Sequence, residues 1–267
     1  MSSLFLPAAL DAAQAAAEII RKAYRKNFSV SYKEDASPVT EVDVNAEKAI
    51  KGLLKQRFPT HGFYGEETGR ESADAEYLWL VDPIDGTKAF VRGYPMFSVQ
   101  IALMRRDLSR HEESSGELIL GVSYAPCWNG GAGEIIFAEK GRGAWLGEER
   151  LQVSDVETLG KATLSTGNLA RLAKSPQWAT LGQIIPQLHR IRGYGDFVHY
   201  HMLANGKIDA VVESDVNILD IAALTVIVRE AGGTFTDLNG GPIGLNTTTV
   251  LATNGKLHAQ FSGLALK

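Results

Sequence analysis

Two carboxylates, Asp82 and Asp85, stand three positions apart in the run Trp79-Leu80-Val81-Asp82-Pro83-Ile84-Asp85-Gly86-Thr87. Such a pair repels itself unless a positive charge lies between the groups. A hard, oxygen-liganded cation such as Mg²⁺ answers that need, and a phosphate carried on it completes the site. The neighbours suit this chemistry. Pro83 removes a backbone N–H and blocks continuation of a sheet. Gly86 permits a tight turn or close approach to a ligand. Thr87 is placed to cap a short helix whose first N–H groups face an anion. Asp-Pro-x-Asp-Gly is also good turn chemistry, so spacing alone leaves both a metal site and a surface turn open.

Other acids lie where they could join the pair. Gly65-Glu66-Glu67 delivers two adjacent carboxylates; on an extended segment they point to opposite faces, so only one can share the site. A solvated acidic turn is the plainer reading. Asp220 is the only acid near the start of the apolar stretch Ile221 to Val228. The helix dipole favours a carboxylate there, as a cap or as a third ligand. Thr40 and Asp43 have the spacing of a capping box, which accounts for Asp43 locally.

The elements that must position these groups follow from periodicity. Leu4 to Lys26 reads as an amphipathic helix, with Leu10, Ala13, Ala17, Ile20 and Tyr24 on one stripe. Val30 to Lys33 suggests a short strand, and a second helix runs from Thr40 to about Phe58, before Pro59. Tyr77 to Val81 reads as a buried strand ending at Asp82-Pro83, with Thr68 to Glu76 a mobile loop before it. Met96 to Met104, Leu118 to Tyr124, Glu134 to Ala138 and Gly143 to Leu146 read as strands, and Arg105 to Ser115 as a hairpin tip or small insertion. The first half therefore reads as two helices plus an antiparallel meander. Beyond it, strands at Lys161 to Ser165, Ile208 to Glu213, Thr234 to Thr236 and Thr249 to Thr253 alternate with helices at Ser175 to Leu188, Asp196 to Asn205 and Leu219 to Ala231. That alternation suggests an α/β layer packed on the first half, with residues 1–150 and 151–267 as the two halves.

The 267-residue chain has a net charge of −4 and one cysteine, Cys127. The acidic balance gives no reason to expect nucleic acid or an acidic membrane surface as partner. An intrachain disulfide is impossible, which fits a reducing compartment. No apolar run approaches the roughly 18 residues of a membrane span, and the N-terminus lacks the basic segment of a secretory signal. A cytoplasmic location is expected. His199 and His201, two apart on a helix, do not share a face and are assigned no metal role. His61 and His189 read as surface or structural, and Arg92 as a weak substrate-contact candidate.

Gly65-Glu66-Glu67, Asp82-Pro83-Ile84-Asp85-Gly86-Thr87, Asp220-Ile221-Ala222-Ala223 and Glu230-Ala231-Gly232-Gly233 together resemble the inositol monophosphatase superfamily, in order and spacing over nearly the whole chain. The resemblance implies a layered αβαβα sandwich, α+β to α/β in class, and a Mg²⁺-dependent, lithium-sensitive phosphatase acting on a small phosphate monoester. It implies that Glu66, Asp82 and the Ile84 carbonyl hold one Mg²⁺, that Asp82, Asp85 and Asp220 hold a second, and that a third, weaker ion leans on Glu66. Phosphate would sit on the backbone of Gly86 and Thr87. Thr87 and Glu66 would position the attacking water and take its proton, with Asp43 supporting Thr87. A homodimer is expected from the resemblance alone.

Within the superfamily, Asp-Gly-Thr-Lys-Ala-Phe-Val-Arg-Gly-Tyr-Pro and Gly193-Tyr194-Gly195-Asp196 look most like the histidinol-phosphate phosphatase branch. Asp196 with Glu213 would suit a substrate carrying an amine and an imidazole; Asp196 as a simple helix cap is the other reading. Inositol-1-monophosphatase, 3′-phosphoadenosine 5′-phosphate phosphatase, sugar-bisphosphate phosphatase and a regulatory, RNA-associated member are the alternatives. Two residues depart from the pattern: Leu219 stands where most members have Trp, and Phe197 where the histidinol branch commonly has Cys. The first is expected to reshape the substrate wall.

Overall fold

The computed structural model describes residues 4–32, 38–106, 108 and 116–264. Helix α1 (Phe5–Ala23) buries Ala8, Ala9, Ala12, Ala13, Ala16, Ala17 and Ile20. A face this poor in bulk lets the helix lie close to its neighbours. A two-stranded ribbon, β1 (Val30–Tyr32) and β2 (Pro38–Thr40), leads into α2 (Glu41–Arg57). Lys33 and Ser37, at the ends of two expected segments, lie outside the described residues.

The first large sheet has eight strands: β3 (Gly62–Gly65), β4 (Gly69–Glu71), β5 (Tyr77–Asp85), β6 (Ser98–Arg106), β7 (Gly116–Ala125), β8 (Glu134–Glu139), β9 (Ala144–Leu146) and β10 (Glu149–Arg150). Their order is β10-β9-β8-β7-β6-β5-β3-β4. Most pairs are antiparallel, as a meander requires, but β3 runs parallel to β5. The short helix α3 (Thr87–Val91) follows β5 directly.

Three expectations need correction here. The strand from Tyr77 does not stop at Asp82-Pro83; it continues to Asp85 through a bulge. Pro83 is tolerated because β3 pairs only as far as Val81 and the register slips between Asp82 and Asp85. Residues 68–76 are not simply a loop, because Gly69–Glu71 pairs with β3 and Glu71 bridges Lys51 and Lys55 of α2. Arg105 and Arg106 belong to β6, which pairs Arg106 with Gly116. The hairpin tip between them falls, apart from Leu108, outside the described residues.

The second sheet has five strands: β11 (Thr163–Thr166), β12 (Arg190–Arg192), β13 (Ala210–Ser214), β14 (Thr234–Thr236) and β15 (Thr249–Thr253), in the order β12-β11-β13-β15-β14. Between them lie α4 (Leu169–Leu172), α5 (Trp178–Ile184), α6 (Asp196–Ala204) and α7 (Ile218–Glu230). The helix expected over 175–188 is shorter than anticipated. It turns to 3₁₀ geometry at Ile185–Gln187, where Pro186 cannot continue an α-helical hydrogen-bond ladder.

Side-chain alternation on β5 and β6 sets the layers. Trp79, Val81, Ile101 and Leu103 face α1 and α2. Leu78, Leu80, Ala102 and Met104 face α7, whose Ile221, Leu224, Ile227 and Val228 also meet the second sheet through Val211, Val250 and Ala252. The other face of that sheet, with Leu164, Val212 and Leu251, is covered by Leu172 of α4 and Leu181 of α5. The order helices, sheet, helices, sheet, helices is the αβαβα sandwich expected from the sequence.

Candidate active site

A bulge brings the acid pair together. On a regular strand, residues three apart point to opposite faces. The extra residue between Asp82, paired with Gln100, and Asp85, paired with Ser98, re-aims one of them. Asp220 arrives from the first turn of α7, and donor oxygens of Asp82, Asp85 and Asp220 lie within 4.8 Å of one another. The capping role of Asp220 is visible too: it accepts from Asn217 N at 2.9 Å and Asn217 Nδ2 at 2.8 Å.

Glu66 follows β3 and donates its backbone N–H to Val81 O at 3.2 Å, which sets it beside Asp82. Its neighbour does not join the site through its backbone: the N–H groups of Glu67 and Thr68 donate to Glu47 of α2 at 2.8 and 2.7 Å. Glu47 is fully buried, and a Cβ on Gly65 would come within 2.4 Å of its carboxyl carbon. Glu47 therefore holds the turn that presents Glu66. The sequence offered no cue for this, because a glutamate on a polar helix face reads as solvated.

Thr87 does not cap α3. The cap is Gly86, at φ 90°, where a Cβ would approach Met96 O to 2.5 Å. The Thr87 hydroxyl instead lies 2.9 Å from Ile84 O and 3.1 Å from Asp43 Oδ1, and can donate to either. Asp43 also completes the Thr40 capping box, accepting from Thr40 N at 2.9 Å and Thr40 Oγ1 at 2.5 Å, so it touches both Thr40 and Thr87. Ile84 N donates to Asp82 Oδ1 at 2.8 Å, fixing that carboxylate against the bulge.

A cavity of about 370 Å³ opens beside the acids. Asp85, Asp220, Lys88, Asp196, Tyr200 and Glu213 line it. Asp196 makes no capping bond to α6; the cap is Gly195. Asp196 itself has φ 46°, a left-handed conformation unusual for a side-chain-bearing residue. Glu213 Oε2 accepts from Tyr200 OH at 2.6 Å and lies 3.0 Å from His199 Nε2. His199 and His201 do point apart, the first to Glu213 and the second to Glu134 and Ser123. His61 is structural, stacked on Phe58 and Tyr77. Arg92 closes α3 and is not among the residues lining the cavity. Leu219 and Phe197 are buried in the core, 3% and 0% exposed, and neither lines the cavity. The expectation that Leu219 reshapes the substrate wall is thereby corrected: Ile221 and Leu224, not Leu219, turn toward the cavity.

The cluster is electrostatically unbalanced. Asp82, 2% exposed, is held well above the usual carboxylate range by burial and then by the charges of Glu66, Asp85 and Asp220. Asp85 is raised by burial, then by Asp196, Asp220 and Glu213. Burial pushes Asp220 up to about 7 against its Asn217 hydrogen bonds, and Glu66 and Glu213 add to the rise. Asp196 is pushed up to about 6 by burial and Glu213, with His199 and Lys88 opposing. Hard oxygen donors this close, and too crowded to ionise together, fit a divalent cation.

A pH dependence follows. These carboxyls hold protons in the folded chain at pH values where the unfolded chain has released them, so without metal their contribution to stability falls as pH rises from about 4 through the folded values near 6 and 7. A divalent cation held among these acids would remove that penalty. Thermal unfolding should therefore show a larger Mg²⁺-dependent rise in Tm at pH 8 than at pH 5; an equal rise at both would contradict the unbalanced cluster.

The description "Inositol monophosphatase family" matches residues 2–265 of the chain. A histidinol-phosphatase of Streptomyces coelicolor is 36% identical over 242 residues, covering 89% of this chain and 87% of that protein. An inositol-1-monophosphatase of Caulobacter vibrioides is 35% identical, covering 87% and 89%. Among solved structures, the extragenic suppressor protein SuhB of Bartonella henselae superimposes with a TM-score of 0.82 at 30% identity, covering 99% of each chain.

Proposed function

The chain belongs to the inositol monophosphatase family, and on that premise we propose that it is a Mg²⁺-dependent histidinol-phosphate phosphatase, converting L-histidinol phosphate and water to L-histidinol and phosphate. That it is a phosphoric monoester hydrolase follows from the family and its phosphatase relatives. The substrate, the metal and the residue roles are our reading.

Glu66, Asp82 and the Ile84 carbonyl would hold one ion, Asp82, Asp85 and Asp220 a second, and Glu66 a weaker third. Bound Mg²⁺ would supply positive charge for the phosphoryl and leaving oxygens and a water of lowered pKa. The chain's own groups do the rest. The first N–H groups of α3, at Gly86 and Thr87, have no acceptor within the helix and hold the phosphate. The Thr87 hydroxyl and the Glu66 carboxylate hold the attacking water in line and take its proton. Asp43 keeps the Thr87 hydroxyl aimed, supported by their 3.1 Å hydrogen bond.

The observation that carries the substrate is Asp196. It lines the cavity together with Glu213 and makes no capping bond. Two carboxylates in the cavity that Asp85 and Asp220 also line suit a substrate that carries a cationic group beside its phosphate. Asp196→Asn tests this, because Asn tolerates the left-handed backbone while the charge is lost. kcat/KM for L-histidinol phosphate should fall about 10- to 100-fold, as for a lost charge-assisted hydrogen bond, with myo-inositol 1-phosphate turnover little changed. An equal effect on both substrates would sink the amine-reading role. The same reading places the protein in histidine biosynthesis, in the cytoplasm, as a lithium-sensitive homodimer. It is consistent with the lack, among the described residues, of any helix long and apolar enough to cross a membrane.

A further inference from the structure

A line of buried polar side chains crosses the apolar layer between the first sheet and α6. Ser98, Gln100 and Ser123 are fully buried and His201 is 4% exposed. At the outer end, His201 Nδ1 lies 2.8 Å from Glu134 Oε1, in a cleft of about 190 Å³ that both residues line with Trp128 and Phe197. His201 Nε2 lies 2.7 Å from Ser123 Oγ. Gln100 Nε2 lies 3.1 Å from Ser123 Oγ and 2.8 Å from Ser98 Oγ. Ser98 Oγ lies 3.4 Å from Asp85 Oδ2.

The donors along this line can be assigned. Glu134, its carboxyl held below the usual range by His201, accepts, so His201 carries its proton on Nδ1 and offers Nε2 as an acceptor. Ser123 spends its hydroxyl proton on Nε2 and must receive one in turn. Only the Gln100 amide nitrogen provides it, which fixes the orientation of that amide. The second hydrogen on Gln100 Nε2 goes to Ser98, leaving the Ser98 hydroxyl proton to point at Asp85. Gln100 Oε1 has no partner, so the alternative orientation would leave a donor group unpaired and both serines misdirected.

We propose that Ser98, Gln100 and His201 are positioning residues for Asp85: a relay of hydrogen bonds runs outward from the Gln100 amide in two chains, one through Ser123 and His201 to Glu134, which fixes that amide, the other through Ser98 to Oδ2 of Asp85, so that its carboxylate meets the metal in one orientation. The inference rests on the reading of Asp85 as a metal ligand. Partners that orient a liganding carboxylate typically change metal affinity by about 10- to 100-fold.

The test is calorimetric titration of the purified chain with Mg²⁺, with metal-free thermal unfolding alongside. Ser98→Ala and Gln100→Leu should each weaken Mg²⁺ binding about tenfold, and Ser98→Thr, which keeps the hydroxyl, should restore it. A lowered metal-free Tm with unchanged Mg²⁺ affinity would make these residues merely structural and overturn the relay. Asp85→Asn separates the two readings. If it binds Mg²⁺ as tightly as the unaltered chain, the metal site itself is wrong, and the relay falls with it. If it loses binding while Ser98→Ala and Gln100→Leu do not, only the relay is wrong. ¹⁵N NMR of His201 should find Nδ1 protonated and Nε2 bare; the opposite tautomer would overturn the assigned direction.

Discussion

Asp85→Asn should lower kcat for phosphate release by at least about three orders of magnitude while leaving the fold intact. The magnitude follows from the several kcal/mol of charge stabilisation that a bound metal supplies to a phosphoryl transition state, at about 1.4 kcal/mol per decade. Asn is close in shape to Asp and keeps an oxygen for Ser98 to donate to, so the bulge and the β5–β6 pairing have no cause to change. What it removes is one negative charge from a cluster whose members raise each other's pKa. The metal-free variant should therefore melt no lower than the unaltered chain at pH 8, and should lose most of the Mg²⁺-dependent gain in Tm. Substantial Mg²⁺-dependent turnover in this variant would contradict the two-metal assignment.

Thr87→Val carries the second largest effect. Valine keeps the volume and branching of threonine at the first position of α3, so the Gly86 turn should survive. It removes the one hydroxyl that reaches both Ile84 O and Asp43 Oδ1. Loss of a group that orients and deprotonates the attacking water costs about 10²- to 10⁴-fold in rate. The fall should appear in kcat, with KM altered little, because in the proposed site backbone N–H groups that the substitution leaves in place would hold the phosphate. Thr87→Ser should recover most of the activity. A fall confined to KM would mean that Thr87 binds substrate and does not position water. Asp43, whose carboxyl burial raises against its hydrogen bonds to Thr40 and Thr87, would lose a partner in Thr87→Val but keep its capping box, so the stability loss should stay near 1 kcal/mol.

The acids themselves were legible in the sequence because Asp82, Asp85 and Asp220 interrupt apolar runs, where a carboxylate needs a reason. The long helices were legible, α1 from its apolar stripe, α2 from its stripe and capping box and α7 from its unbroken apolar run, whereas the four-residue α4 carried no such signal. What periodicity could not supply was the bulge. Pro83 looked like a strand terminator, whereas the strand passes through it and uses the irregularity to turn Asp82 and Asp85 to one side. The parallel β3 was likewise hidden, since a four-residue segment carries no directional signal. Glu47 was invisible because a buried glutamate and a solvated one look alike on a helix. Ser98 and Gln100 did leave a trace: they are the polar alternates in Phe-Ser-Val-Gln-Ile, on a strand otherwise buried on both faces. That alternation says only that polar groups share a face; Ser123, the next in the line, lies 23 residues from Gln100 along the chain, and its own partner His201 a further 78.

Asp196 marks how far the substrate could be read. Its place ahead of a helix suggested a cap, and the geometry removes that explanation: the cap is Gly195, and the carboxylate faces the cavity with Glu213. Whether a cationic group of the substrate meets it is decided by turnover. The most direct measurement is Mg²⁺-dependent phosphate release from L-histidinol phosphate and from myo-inositol 1-phosphate, side by side on the same preparation. kcat/KM should be much higher for L-histidinol phosphate. A preference for the inositol phosphate would contradict it, leaving the phosphatase assignment in place and the amine-reading role of Asp196 and Glu213 without support.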